Sequence, residues 1–355
     1  MEWPERPACV CEKHVPSLVD PPARKYVVPL MPASAVAAIL SASSVAPRWR
    51  TPEVALEESI AMTTRRTFLS SPLAVPLVAL AGPAAAQEAT PAAQADMAVA
   101  YGEANGTALL LDVHRPAASG APQPAVVVLH PGGLVEGDRT ITTEHAQALA
   151  QAGYVAFNVD YRLLGADGRN PWPAQLDDAQ RAVRWVRANA TTYGVDPERV
   201  AAFGLSAGAT LAAQLGVRET RANADPALKD FSSRATCVVD VVGESDQTIP
   251  PLTPDDVARY AALLGGTREE VPDAYRDLSA VTFVDASTVP FLILHSPADT
   301  TVPVEHARRL SETLHHVNVE VVYAELANID HRDWTWADIA PWTLAFMERQ
   351  LQFSA

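Results

Sequence analysis

Between Leu109 and Ala324, short apolar runs alternate with stretches whose apolar residues recur every three or four positions. The runs are Leu109-Leu-Leu-Asp-Val-His114, Ala125-Val-Val-Val-Leu129, Tyr154-Val-Ala-Phe-Asn-Val-Asp160, Val200-Ala-Ala-Phe203, Val238 to Val242, Phe291 to Leu294 and Val319 to Ala324. Several are apolar without interruption, which suits strands covered on both faces. The intervening stretches read as helices: about Thr142 to a Gly153 stop, 174–189 on Leu176, Ala179, Val183 and Val186, and Ala207 to Val217. A further helix opens at Pro303 with Val304, Ala307, Leu310 and Leu314 on one face, and 341–352 closes the chain. Such alternation predicts an α/β fold, a mostly parallel sheet with helices on both faces. The Pro- and Asp-rich segment from about Ser245 to Val289 is left as a small cap.

The start of the chain reads differently. Residues 1–61 carry nine prolines and no sustained helical or strand period, and are expected to be a non-native extension outside the fold. At Met62-Thr-Thr-Arg-Arg-Thr-Phe-Leu a short basic segment precedes an apolar stretch that ends at Ala84-Ala85-Ala86. Pro72, Pro76 and Pro83 argue against a core helix there. A basic start, a short apolar core and a small-residue cleavage site make residues 62–86 an export signal. Its arginine pair, Arg65-Arg66, resembles the twin-arginine variety. The expectation is therefore a precursor that starts at Met62, engages the twin-arginine export machinery and delivers a periplasmic or secreted protein without a stable membrane anchor. Residues 87–106 are expected to form a flexible lead-in, to about Asp96, and a first strand. Residues 107–355 form the main domain.

Composition narrows the function. Forty-eight per cent of residues are hydrophobic, enough for a sizeable core, and 42 acidic against 27 basic residues leave a net charge of −15. Nucleic acids and anionic membranes need clustered Lys and Arg, so neither is expected as a partner. Cys9, Cys11 and Cys237 make no disulfide framework, and no His or Cys cluster at zinc spacing surrounds Cys9-x-Cys11. No metal and no cofactor are expected, and Cys237 is assigned to the core.

Three segments carry chemistry. Gly204-Leu-Ser206-Ala-Gly208 lies between a strand and a helix, where a sharp turn with small flanking residues exposes a serine hydroxyl. A serine needs a base to take its proton and a carboxylate to orient that base. Of the histidines after residue 86, His331 follows the last strand in a loop. His306 lies on a helix face, and His315 and His316 end a helix. For the carboxylate, Asp299 sits just past a buried strand, where catalytic groups gather. Asp246 is its rival, and Asp330 adjoins His331 too closely to face it. In His130-Pro-Gly-Gly133, Gly132 and Gly133 can turn backbone N–H groups toward a developing oxyanion, with the Ala207 N–H as a further donor.

These segments resemble the α/β-hydrolases of the esterase/lipase group, with its hormone-sensitive-lipase-like and bacterial feruloyl-esterase-like members. The likeness extends through His130 to Asp138, Val159-Asp-Tyr-Arg-Leu163, Pro173 to Gly194, Leu264-Gly-Gly-Thr-Arg-Glu-Glu270 and Leu294 to Pro303. It covers roughly 107–350. The resemblance implies Ser206 as nucleophile, Asp299 as acid and His331 as base, with Gly132, Gly133 and Ala207 as the oxyanion hole. It implies a serine carboxylesterase acting on small-molecule or carbohydrate esters, such as short acyl, acetyl or feruloyl groups. Pro131, Leu134, His295-Ser and the Ala-Asn-Ile-Asp approach to His331 depart from the family pattern. An exopeptidase-like serine hydrolase and a non-catalytic binding protein on this scaffold are the alternatives. The first usually brings a large extra domain, and the second usually loses the serine or histidine.

Overall fold

The computed structural model describes residues 26–28, 94–117, 121–221, 225–251 and 253–352. The strands are β1 Tyr26–Val28, β2 Gln94–Ala104, β3 Thr107–Arg115, β4 Gln123–Leu129, β5 Val155–Val159, β6 Val195–Leu205, β7 Val238–Val241, β8 Phe291–His295 and β9 Val321–Leu326. They form one sheet in the order β1-β9-β8-β7-β6-β4-β5-β3-β2. Pairing is parallel except around β3, which is antiparallel to both β2 and β5. The main helices are α1 Thr143–Gln151, α2 Ala174–Ala188, α3 Ala207–Val217, α4 Pro254–Leu264, α5 Pro272–Leu278, α6 Glu305–His316 and α7 Trp336–Gln352.

The expected mostly parallel α/β sheet is present, and the period of two explains its two covers. Ala125, Val127 and Leu129 of β4 face one core with Leu176, Val183, Leu211 and Leu310, from α2, α3 and α6. Val126 and Val128 face the other, with Ala146 and Leu149 of α1 and Ile339, Phe346 and Leu351 of α7. Every residue of α3 is buried. Cys237 is a buried free thiol in the second core, whereas Cys9 and Cys11 lie outside the described residues.

Three differences from the sequence reading have physical causes. The lead-in expected to be flexible as far as Asp96 is already strand from Gln94. β2 lies at the sheet edge with mostly exposed side chains, so it carries no apolar alternation. The cap segment holds α4 and α5. α4 carries both a cap and a helical period: Thr253 Oγ1 accepts the Asp256 N–H at 3.2 Å, Pro254 occupies the first turn, and Tyr260, Leu263 and Leu264 form its buried face. α7 starts at Trp336 and carries Pro341 inside it, because Thr335 and Asp338 cap it earlier. No period in residues 1–61 predicted a strand, yet Tyr26–Val28 pairs in parallel with Ala324 to Leu326. The export signal at 62–86 lies outside the described residues. Among the described residues no helix is long and apolar enough to cross a membrane.

One buried acid gives this fold a pH signature. Asp240 in β7 is 2% exposed, and its carboxylate accepts the Gly243 N–H at 3.0 Å. Burial pushes it up to about 7, against this one opposing hydrogen bond. An unfolded Asp titrates near pH ~4, so over that window the folded chain holds a proton that the unfolded chain has released. Stability contributed by this group therefore falls as pH rises from about 4 to about 7 and stays low above. Asp240→Asn keeps the acceptor without the charge. It should raise Tm by roughly 5–10 °C at pH 8 and leave it nearly unchanged at pH 4.5. Equal shifts at both pH values in thermal melts would refute the assignment.

Candidate active site

The turn from β6 into α3 places Ser206 at φ 52°, ψ −120°, a conformation rare for a residue with a Cβ. Its N–H donates to the Val241 carbonyl at 2.8 Å, and its carbonyl accepts the Thr210 N–H at 3.0 Å. The two glycines are explained by distance. A Cβ on Gly204 would lie 2.2 Å from the Gly208 backbone, and one on Gly208 would lie 2.1 Å from the Leu129 carbonyl oxygen. Only residues without a side chain let β6, α3 and the end of β4 approach this closely.

Ser206 Oγ lies 2.9 Å from His331 Nε2, and His331 Nδ1 lies 2.8 Å from Asp299 Oδ2. Asp299 can only accept when ionised, so the ring proton is assigned to Nδ1, leaving Nε2 to accept from the serine hydroxyl. The Asp299 side chain has no solvent exposure. Burial alone would raise its pKa. The His331 hydrogen bond and the Val302 and Thr301 N–H groups outweigh this and hold it below the usual carboxylate range. Those two N–H groups lie 2.8 and 2.9 Å from Oδ1. His295 flanks the acid, with Nε2 3.1 Å from the Val302 carbonyl and 3.6 Å from Asp299 Oδ2. Its burial pushes it down to about 4, so it is neutral at pH 7.

Asp246 is not in this relay. Its Oδ1 accepts from Thr248 N and Oγ1 at 2.9 and 2.6 Å, and its Oδ2 faces Arg309 at 3.3 Å. His306 takes the Asp246 N–H at Nδ1, on the far side of the same turn. Asp330 does not face the His331 ring either, but sequence reasoning missed its role. Its Oδ1 accepts the N–H groups of both His331 and Thr300 at 2.8 Å, tying the base loop to the acid loop.

The loop after β4 is held from behind. Pro131 O lies 2.7 Å from His130 Nδ1, whose ring stacks on Tyr161 at 4.2 Å. Gly132 O accepts the Val135 and Glu136 N–H groups at 3.0 Å. In a trans peptide the N–H points opposite to the C=O. The Gly132 and Gly133 N–H groups are therefore turned away from these contacts. Gly132 and Gly133 line a pocket of about 750 Å³ that also holds Ser206 and His331. Ala207, the third expected donor, is buried at the first position of α3, next to Ser206. Gly132 at φ 128° admits no Cβ, which would fall 2.0 Å from Glu136 O. Proline at 131 removes no N–H from this set.

A family profile matches residues 111–314 under the description BD-FAE. The chain belongs to the BD-FAE family. Among curated proteins it is similar to esterase LipC of Mycobacterium tuberculosis, 32% identical over 66% of this chain and 58% of LipC. It is also similar to the probable carboxylic ester hydrolase LipM of the same organism, 31% identical over 52% of this chain and 43% of LipM. The chain thus spans about half the length of these relatives. Among solved structures, a truncated carbohydrate esterase from gut microbiota matches with TM-score 0.63 and 21% identity, over 73% of this chain and 96% of that one. The propionate-bound esterase Est2 of Thermogutta terrifontis matches with TM-score 0.59 and 24% identity, over 74% and 94%. At these identities the structural matches establish a shared α/β-hydrolase fold.

In this BD-FAE chain the pocket wall is mixed. Val135, Ile141, Leu205, Val242, Trp334 and Trp336 give it apolar surface. Glu136, Glu144, Glu244 and Asp256 stand against Arg259 and Arg332. Val242 adopts φ 53°, an outlier for a β-branched residue, where the chain leaves β7 beside Ser206. No group of three or more His, Cys, Asp or Glu that could hold a metal occurs among the described residues.

Proposed function

We propose that this BD-FAE member is a carboxylic ester hydrolase that acts through an acyl-enzyme on Ser206. The single observation that carries this reading is the continuous Ser206–His331–Asp299 relay, with contacts of 2.9 and 2.8 Å, opening on the pocket. His331 Nε2 takes the Ser206 proton as Oγ attacks the ester carbonyl. The same nitrogen returns that proton to the leaving alkoxide, then activates the water that releases the acid. Asp299 stabilises the imidazolium, and the Gly132, Gly133 and Ala207 N–H groups receive the developing oxyanion. The named esterases among its sequence relatives support the reaction class.

The substrate proposed is a short-acyl ester, with acetyl or feruloyl groups on carbohydrate among the candidates. Each buried CH₂ is worth about 0.8 kcal/mol, and four carboxylates and two arginines interrupt the apolar side chains of the wall, so a long acyl chain gains less there than on a continuous apolar surface. Such a wall suits a neutral, hydroxyl-rich alcohol. The twin-arginine pattern at Arg65-Arg66 supports export to the periplasm or beyond.

The test is expression of the chain from Met62 in a bacterium with a twin-arginine pathway, and assay of the recovered protein. A mature N-terminus near Gln87 outside the cytoplasm is expected. So is a higher kcat/KM on acetate and butyrate p-nitrophenyl esters and acetylated xylo-oligosaccharides than on dodecanoate. A product that keeps Arg65-Arg66 or stays in the cytoplasm would overturn the export reading, and N-terminal sequencing of the protein from its own host that finds residues 1–61 would overturn the start at Met62. Preference for dodecanoate would overturn the substrate reading, and hydrolysis of aminoacyl anilides alone would overturn the ester reading.

A further inference from the structure

The four carbonyls from Pro131 to Leu134 are each held by a partner. His130 Nδ1 holds Pro131 O, the Val135 and Glu136 N–H groups hold Gly132 O, and the Leu164 N–H holds Leu134 O at 3.0 Å. The carbonyl of Gly133 is held differently, by the guanidinium of Arg259, whose Nη1 lies 3.0 Å away. Arg259 comes from α4, in the segment read from sequence only as a cap. We propose that Arg259 is a positioning residue for the oxyanion hole, acting through the Gly133 carbonyl. This rests on the esterase reading above.

Three observations carry it. The guanidinium is itself fixed: Nη2 lies 3.1 Å from both Glu244 Oε1 and Asp256 Oδ1, and the group covers the Tyr260 ring at 4.2 Å. Its side chain is 15% exposed, so it holds one geometry at the pocket wall. The loop it touches is strained. Gly132, Gly133 and Leu134 have successive φ values of 128°, 61° and 66°, and a leucine at positive φ is disfavoured. Rotating the Gly133–Leu134 peptide would relieve Leu134, and the Arg259 bond opposes that rotation. Finally, Arg259 Cδ lies 3.0 Å from where a Gly133 Cβ would be, so the arginine packs against the space left by the missing side chain. The Gly133 N–H lies in the preceding peptide, which the Val135 and Glu136 N–H groups hold through Gly132 O; Arg259 holds the next peptide, and the two meet at Gly133 Cα. With Arg259 removed, the second peptide is free to turn at that Cα, and the donor peptide loses its anchor on that side.

The charge of Arg259 balances Glu244 and Asp256, so loss of charge must be separated from loss of the donor. The variants are Arg259→Met, Arg259→Lys and the charge-balanced pair Arg259→Met with Glu244→Gln. The substrates are p-nitrophenyl acetate and its thiono analogue, whose sulfur is a poor hydrogen-bond acceptor and so depends little on oxyanion donors. Arg259→Met and the pair should each lower kcat on the ester by about ten- to a hundredfold, with KM changed less than threefold. The thionoester rate should stay within about threefold, and Arg259→Lys should recover part of the ester rate. Equal losses on ester and thionoester, or an unchanged kcat, would overturn the proposal. If Arg259→Met does not fold, Arg259→Lys alone decides by the same ester-to-thionoester ratio. A wild-type protein inactive on every ester would instead overturn the esterase reading and this inference with it.

Discussion

Ser206→Ala is expected to lower kcat on p-nitrophenyl acetate by at least about 10⁴-fold while leaving the fold intact. Ser206 Oγ is the atom His331 Nε2 faces at 2.9 Å, and alanine removes it without changing the Cβ. The backbone bonds that hold the turn, to Val241 O and from Thr210 N, do not involve the hydroxyl. The strained φ of 52° is equally open to alanine, so Tm should move by no more than a few degrees. Stopped assays with an active-site titrant give the measurement. A folded variant that keeps more than a few per cent of the wild-type rate would remove Ser206 from the mechanism.

Asp299→Asn should cost about 10⁴-fold in kcat with little change in KM. The asparagine Oδ1 can still accept the Thr301 and Val302 N–H groups, so the loop should keep its shape. Its amide NH₂ now faces His331 Nδ1 and donates where the carboxylate accepted. The ring then carries its proton on Nε2, where it can no longer take the one from Ser206. The imidazolium formed during attack also loses its counter-charge. Retention of a tenth or more of the wild-type kcat would mean that another carboxylate orients the base.

Much of the site could be read in sequence because its chemistry is local. Gly204 and Gly208 mark backbone approaches that allow no Cβ, and such marks survive in one dimension. His331 and Asp299 were found by their places after strands. On residues alone Asp246 stood as a rival to Asp299, since both follow buried strands. In the structure Asp299 is the one that faces His331, while the carboxyl of Asp246 is taken up by Thr248 and Arg309. Asp330 and Arg259 left no pattern to find. One clamps two loops 30 positions apart, and the other reaches 126 positions back to Gly133.

The same division holds for the fold. The sequence alone determined the buried parallel strands and the amphipathic helices, because a strand covered on both faces must be apolar throughout and a half-covered helix must be apolar every three or four residues. It did not determine the edge strand β2, whose exposed side chains need no pattern and whose place is set by hydrogen bonds to β3. Nor did it determine the contact of α4 with the oxyanion loop. A hydrogen bond between distant segments constrains one residue type at each end and imposes no period on either, so only the folded chain brings Arg259 to Gly133.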